Sequence, residues 1–467
     1  MLLSAIIVVI LFLKLDCFHM RWWDESMYAV NAYEMVQSGE YFSYTFDGEA
    51  DLFNSKPPLT IWLQILSIKI VGYNELAMRL PSAIAAAITV LILFRFLSKN
   101  FSSFIAWTGS LILLSTVGFT GYHAARTGDS DALLTLFLTA SAISFFNYIL
   151  KEKTKDIFIF LIFLTLAFAT KSFASLLFLP AIFIILIRLK FLKKFVLNWH
   201  FAIGFILLIG TVISLLWLRE SQTPGYISTI FTNDAGRLFR STEGGSTDYF
   251  YYIDLFFTKH FSWWIIPFIL GSFFAFYSPK PQERRLLKAI LLLIISYLFM
   301  ITISGGKHFW YDIPLFPLMS IAAAFGISYF LENTLNGKKT VSLRAKSFLI
   351  IALVSYPLIL SFRQTQSNYI PPGEMKLEAN EVFMHESIRQ NQSLDGITVL
   401  YHGWRGSLLF YKYKLSEEGQ KISMTQNISE LHIGDEVLVC HDSLNIELMN
   451  NFYTKNKIKL DMLHFMS

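Results

Sequence analysis

RWWDESMYAVNAYEMVQSGEYFSYTFDGEADLFNSKPPL, residues 21–59, is a polar, acidic and aromatic stretch set between strongly apolar runs. Trp22 and Trp23 mark the level at which a first membrane span would emerge, because indole rings favour the headgroup interface. The adjacent acids Asp24 and Glu25 follow at once. Neighbours on a helix do not share a face, so only one of the two can point into a site. Both also read as ordinary carboxylates at a helix N-terminus, where the macrodipole favours them. Lys56 precedes Pro57 and Pro58, a proline start to the next helix, so a cation returns to the face that holds the acids.

Around this loop the composition is that of a membrane protein. Of 467 residues, 54% are hydrophobic and 16% charged, against about 25% charged in soluble domains, and the mean hydropathy is +0.48. The net charge of +5 lies in short Lys/Arg clusters between apolar runs, a pattern of bilayer orientation rather than nucleic-acid binding. Two cysteines, Cys17 and Cys440, exclude a disulfide framework and a cysteine-based metal site. They leave room for one bridge at most.

Apolar runs of about 17 to 25 residues read as spans. Eleven lie near 2–18, 80–97, 103–121, 131–150, 157–170, 172–189, 200–218, 262–278, 286–304, 312–331 and 346–362. The fifth and sixth, divided at Lys171, also fit a re-entrant hairpin. Lys99, Lys151 to Lys155, Arg188 to Lys194, Lys280 to Lys288 and Lys338 to Lys346 fall in alternate loops, which makes those loops cytoplasmic. The first loop and everything after residue 362 are then external. Within the first loop, DESMYAVNAYEMVQSG and PPLTIWLQILSIKIVG read as short helices ending at Gly39 and Gly72, lying in the interface plane. The external loop 219–261, with Gly244-Gly245, Tyr249, Tyr251 and Tyr252, fits a mobile aromatic flap or an aromatic belt.

Two domains follow: a transmembrane domain over 1–362 and a soluble α/β domain over 363–467, in which ITVLYH and EVLVCH read as buried strands. No phosphate-binding glycine motif accompanies those strands, which argues against a nucleotide.

The order WWDE, SKPPL, GYNELAMRLPSA, RTGDSDALLTLF and GGKHFWYDIPLFPLMS resembles the membrane glycosyltransferases that take a sugar from a polyprenyl phosphate carrier. Protein mannosyltransferases and the lipid A aminoarabinose transferase belong to that family. The resemblance runs over roughly residues 1–330 and implies a GT-C type, all-α polytopic enzyme in a cell inner membrane, with its site on the periplasmic side. It favours Asp24 over Glu25 as the catalytic carboxylate, and it sets Asp131, at the start of DALLTLF, beside the catalytic pocket. Asp129 shares that helix start, and Arg126 is spaced to pair with either acid or to hold a phosphate.

Lys171 falls where the family has Lys followed by Gly; here Ser172 follows. Lys307, His308 and Tyr311, after Gly305-Gly306, are further donors suited to a phosphate. In the aminoarabinose branch an acid precedes Lys-Pro and helps to hold a metal; Ser55 stands there in this chain, and neither Glu49 nor Asp51 compels a metal site by its spacing. A divalent metal stays open.

The resulting expectation is an inverting transfer from a polyprenyl phosphate-linked sugar to lipid A, another glycan or a protein, with Asp24 as general base. A flippase of lipid-linked saccharides is the alternative. Such transporters show repeated halves and charges at mid-membrane depth, and neither is evident in this sequence.

Overall fold

The computed structural model describes residues 1–236, 246–335, 343–367, 379–432 and 434–439. Gly244-Gly245, Lys338, Lys339 and Cys440 therefore lie outside the described residues. The chain opens with α1 (Leu2–Leu11), α2 (Asp24–Ser38), the hairpin β1 (Thr45–Phe46) and β2 (Glu49–Ala50), and α3 (Leu59–Val71). The hairpin turns at Asp47 and Gly48, with φ of 58° and 79°; the Asp-Gly pair is the dipeptide such a turn favours. Gly39 and Gly72, also at positive φ, end α2 and α3 where the sequence places their ends.

Next come α4 (Glu75–Asn100), α5 (Ser103–Leu114), α6 (Val117–Thr120), α7 (Asp131–Lys151), α8 (Lys155–Lys171), α9 (Leu179–Arg188), α10 (Leu192–Val196) and α11 (Trp199–Gln222). They are followed by α12 (Tyr226–Ile230), α13 (Tyr251–Leu255), α14 (Ile265–Tyr277), α15 (Pro281–Ile303), α16 (Phe316–Leu335) and α17 (Leu343–Gln366). Six helices among the described residues are long and apolar enough to cross a membrane. A seventh span is added if the pair Tyr251–His260 and Ser262–Tyr277, bent by 91°, is one span.

This is fewer than the eleven apolar runs, and the reasons are local. The first run stays helical only to Leu11, because Lys14 turns left-handed at φ 55°. In the third, the Ser115 and Thr116 hydroxyls both donate to the Ile112 carbonyl, at 2.9 and 2.8 Å, competing with the helix ladder. The run that begins at Ser172 starts as a 3₁₀ turn, Ser172–Leu176, and becomes α-helical at Leu179.

The helix led by Phe309 is central, with 94% of its apolar window buried, whereas the window in α11 is 17% buried and faces outward. Close packing of α14 on α16 rests on a glycine pair. A Cβ on Gly271 would come within 1.8 Å of the Ala322 carbonyl oxygen, and one on Gly326 within 2.0 Å of that of Pro267. Small residues of this kind let membrane helices approach backbone to backbone.

The C-terminal part holds α18 (Ala379–Arg389), β3 (Thr398–Leu400), α19 (Gly406–Glu417), β4 (Ser423–Thr425) and β5 (Val437–Val439). The strands pair in parallel in the order β4-β3-β5, with α19 as the crossover that a parallel pair requires. β3 and β5 fall inside ITVLYH and EVLVCH. The helix α17 runs on to Gln366, past the expected boundary at 362.

This unit shares an apolar core with the first loop: Met384, Val399, Leu408, Phe410 and Tyr411 cluster with Met20, Ala29, Ala77 and Met78. Glu75, at the start of α4, accepts from Lys414 Nζ at 2.7 Å and lies 2.9 Å from His385 Nδ1. Trp22, expected at the headgroup level, is instead buried and donates through Nε1 to Glu381 at 2.8 Å.

Candidate active site

The two acids that open α2 have opposite fates, as their angular separation on a helix requires. Glu25 is 1% exposed. Its Oε1 accepts from Arg79 Nε and from the Gly128 amide, both at 2.8 Å, and its Oε2 from the Arg21 amide at 2.9 Å and Arg79 Nη2 at 3.1 Å. Arg79 also donates to the carbonyls of Leu15, Phe18 and His19. Burial alone would raise the Glu25 carboxyl, but the Arg79 charge and these hydrogen bonds hold it below its ordinary value. Glu25 is thus a fastener joining the first loop, α4 and the segment before α7. With every lone-pair direction engaged, it is a poor proton acceptor.

Asp24 is half-buried and acts electrostatically on Tyr28, His123 and Lys171. The buried Tyr28 hydroxyl pairs loosely with Ser130 and feels the charges of Asp24, Asp129 and Asp131, and Asp129 Oδ1 beside it is buried without a partner. Buried polar atoms are normally satisfied, so the open oxygen of Asp129 within this group of carboxylates marks a place where a polar ligand or water belongs. Asp129 Oδ2 accepts from Thr127 Oγ1 at 2.5 Å and lies 3.2 Å from His123 Nδ1.

Cations and aromatic rings close the other side. Lys171 Nζ donates to both oxygens of Asp131, at 2.6 and 2.7 Å, and lies 5.6 Å from the Tyr311 ring centroid. Ser172, after this lysine, has φ 36°, the left-handed region in which the family's glycine costs nothing. His123 stacks on Trp310 at 4.0 Å, and His308 stacks on the same indole at 4.5 Å. The sequence reading brought Asp24, Asp129, Asp131, Lys171, His308 and Tyr311 to one place; it missed Tyr28 and His123.

Arg126 departs from expectation. It pairs with neither acid; its guanidinium donates to the carbonyls of Ile10, Leu11, Leu13 and Lys14. These include unpaired carbonyls at the end of α1, so Arg126 terminates a helix. Lys307 is 2% exposed and donates to the carbonyls of Ser304 at 3.1 Å and Thr247 at 3.3 Å, with its Nζ 5.1 Å from the Tyr249 ring. It ties the aromatic loop to the end of α15.

Lys56 is buried in a loop knitted by side chains. Asp51 accepts from the amides of Phe53 and Asn54 and from Asn31 Nδ2, while Asn54 Oδ1 accepts from the Lys56 amide. Tyr44 and Tyr226 donate to the carbonyls of Lys56 and Ser55. A second cation that the sequence reading missed, Arg219, donates to the Asn54 carbonyl at 3.2 Å. Its guanidinium sits 3.4 Å from the Tyr44 ring centroid, and its buried Nε lacks a partner. Glu49 is exposed on β2, and Asp51 accepts hydrogen bonds within the loop. Among the described residues no three His, Cys, Asp or Glu side chains are grouped to hold a metal ion.

His123 carries a pH prediction. Burial disfavours its imidazolium, but the Asp129 carboxylate outweighs this and raises its pKa above the ordinary 6.5. A raised folded-state value contributes stability that is complete below 6.5 and is lost as pH rises through the folded value. Thermal midpoints of the wild type should fall across that alkaline window more than those of His123→Gln; parallel curves would remove His123 from the charge balance of the site.

Residues 55–217 match the family model described as dolichyl-phosphate-mannose-protein mannosyltransferase. An uncharacterised protein of Aquifex aeolicus is 25% identical over 74% of this chain and 67% of its own length. The undecaprenyl phosphate-alpha-4-amino-4-deoxy-L-arabinose arabinosyl transferase of Shewanella sediminis is 25% identical over 77% of this chain and 63% of its own. The chain thus spans about two thirds of the length of these relatives. Among solved structures, ArnT from Cupriavidus metallidurans bound to undecaprenyl phosphate superposes with a TM-score of 0.70 at 16% identity, over 91% of this chain and 85% of that one. The family match across residues 55–217, the relatives at 25% identity and the shared helical fold agree with the motif order: the chain resembles the polyprenyl phosphate sugar-dependent membrane glycosyltransferases of GT-C type.

Proposed function

We propose that the chain transfers a sugar from a polyprenyl phosphate carrier to an acceptor on the external face of the membrane, with Asp24 as general base. The observation that carries this reading is the half-buried Asp24, whose charge acts on the buried Tyr28 hydroxyl together with that of Asp129, a buried acid with one unpartnered oxygen, beside a buried lysine. The acceptor hydroxyl or amine gives its proton to Asp24 as its oxygen or nitrogen bonds to the anomeric carbon. The bond from that carbon to the phosphate oxygen breaks, and the polyprenyl phosphate leaves with the electron pair.

A nucleophile entering opposite the phosphate inverts the anomeric centre. Lys56 and Arg219, which reaches the Lys56 loop from α11, supply cations for the departing phosphate, and Tyr311 and His308 supply donors. Lys171 neutralises Asp131, so that the second carboxylate of the pocket does not oppose the negative charge arriving with the donor. Lys307 supports the phosphate side by holding the loop at Thr247. A flippase would need none of the acid chemistry.

Binding of undecaprenyl phosphate to the purified protein tests the phosphate assignment. Hydrogen bonds to a charged group are worth about 1.5–3 kcal/mol, so Lys56→Ala should weaken binding roughly 10- to 150-fold. Unchanged affinity in both Lys56→Ala and Lys307→Ala would remove the cations from the donor site.

The Lys/Arg pattern supports an external first loop and C-terminal unit. In a cysteine-free background, single cysteines at the exposed positions Glu49 and His402 should react with an impermeant thiol reagent in intact cells, and one at Lys153 should not. The reverse pattern would turn the site to the cytoplasm.

A further inference from the structure

One exposed aromatic cluster borders the site without entering the chemistry above. Trp23 immediately precedes Asp24, is 46% exposed and takes φ 63°, a costly conformation for a bulky side chain that persists only where surrounding structure enforces it. Its indole stacks on that of Trp404, with centroids 5.2 Å apart and planes at 24°. Phe46 and the exposed Phe53 lie 5.1 and 6.2 Å from Trp404. Arg405, 5.9 Å from the Phe46 ring, pairs with Asp47 at 3.1 Å on the open rim.

The chain is built to hold Trp404 there. Trp404 Nε1 donates to Ser26 Oγ at 3.1 Å. A Cβ on Gly406 would fall 2.7 Å from that Oγ and 2.8 Å from Trp404 Nε1, so only glycine lets the start of α19 reach α2. Two distant segments are thereby brought together to set an indole pair one residue from the candidate base.

We propose that Trp23 and Trp404 form a stacking platform for a saccharide unit of the acceptor, an inference that rests on the transfer reaction proposed above. A sugar ring offers polarised C–H groups on one face, which settle on the negative face of an indole. Its hydroxyls reach outward, where Asp47 and Arg405 present an acceptor and a donor. The same residues would suit a bilayer interface less well. The rim is an ion pair, and the indoles lie against the C-terminal unit.

The probes are a glucosamine disaccharide, a mannotriose and lactose, each titrated into the full-length protein in nanodiscs and read by tryptophan fluorescence, with undecaprenyl phosphate as the donor-side probe. At least one saccharide should quench saturably. Its affinity should fall roughly 3- to 10-fold in Trp404→Ala and Trp23→Ala, and largely recover in Trp404→Phe and Trp23→Phe, while undecaprenyl phosphate binds all five proteins alike. Quenching by none of the three, or equal affinity in wild type and both alanine variants, overturns the platform. So does quenching of these two indoles by spin-labelled lipids, which would make them a membrane anchor. If saccharide binding behaves as expected but undecaprenyl phosphate fails to bind the wild type, the platform stands and the donor reading falls.

Discussion

Asp24→Asn is expected to lower sugar transfer by about 10² to 10⁴-fold, the usual cost of losing a general base, while undecaprenyl phosphate still binds with wild-type affinity. Asparagine keeps the size of the side chain and part of its hydrogen bonding but cannot take a proton. The change is confined to chemistry because Asp24 is half-buried at the edge of its helix, whereas the contacts that fix that helix belong to Glu25 and Arg79. Single-turnover transfer beside equilibrium donor binding separates the two effects. Near-normal transfer in a folded Asp24→Asn protein would move the base elsewhere, with Asp129 next in line because its Oδ1 is buried and unpartnered.

Glu25→Gln should fail in a different way, through the fold. Removing one partner of a buried ion pair leaves the other charge uncompensated, at a cost of about 3–5 kcal/mol. Here Arg79 would be left among the Leu15, Phe18 and His19 carbonyls. Lower yield and a lower thermal midpoint are expected, with donor binding lost in step with folded protein. Arg79→Met should do the same, and the double variant should be less destabilised than the sum of the two.

The pH dependence has a definite sign. Because the folded Glu25 value is lowered, its stabilisation is present above the ordinary carboxylate value of about 4.3 and is lost as pH falls through the folded value. Wild-type melting should therefore soften in acid more than that of the double variant. A Glu25→Gln protein that melts with the wild type but has lost transfer would make Glu25 the base.

Local signals in the sequence make the first loop legible. Glycines at left-handed positions stop α2 and α3, and the Pro57-Pro58 start holds. The strands inside ITVLYH and EVLVCH follow from their apolar β-branched runs. The divided fates of Asp24 and Glu25 were half legible: helix geometry says that they diverge, but the partner that decides which is fixed, Arg79, lies 54 residues away.

The same distance hid other roles. Arg126 reaches carbonyls 112 to 116 residues earlier, and Lys171 finds Asp131 at a separation of 40. Arg79 and Glu75 carried a usable signal, since charges on a spanning helix need partners. Arg219, near the end of α11, carried the same signal; His123 and Trp404 carried none in their own surroundings. Hydropathy weighs composition alone, while the ends of α1 and α5 depend on local backbone turns and hydroxyl contacts.

The most direct test is to give the reconstituted protein undecaprenyl phosphate carrying a labelled sugar, from a panel that includes 4-amino-4-deoxy-L-arabinose and mannose, together with envelope glycolipids and proteins, and to follow label and lipid together. For one donor, free undecaprenyl phosphate should appear in step with label on the acceptor, and both should stop in Asp24→Asn. Label that stays on its lipid, or crosses the bilayer still attached to it, would contradict a transferase.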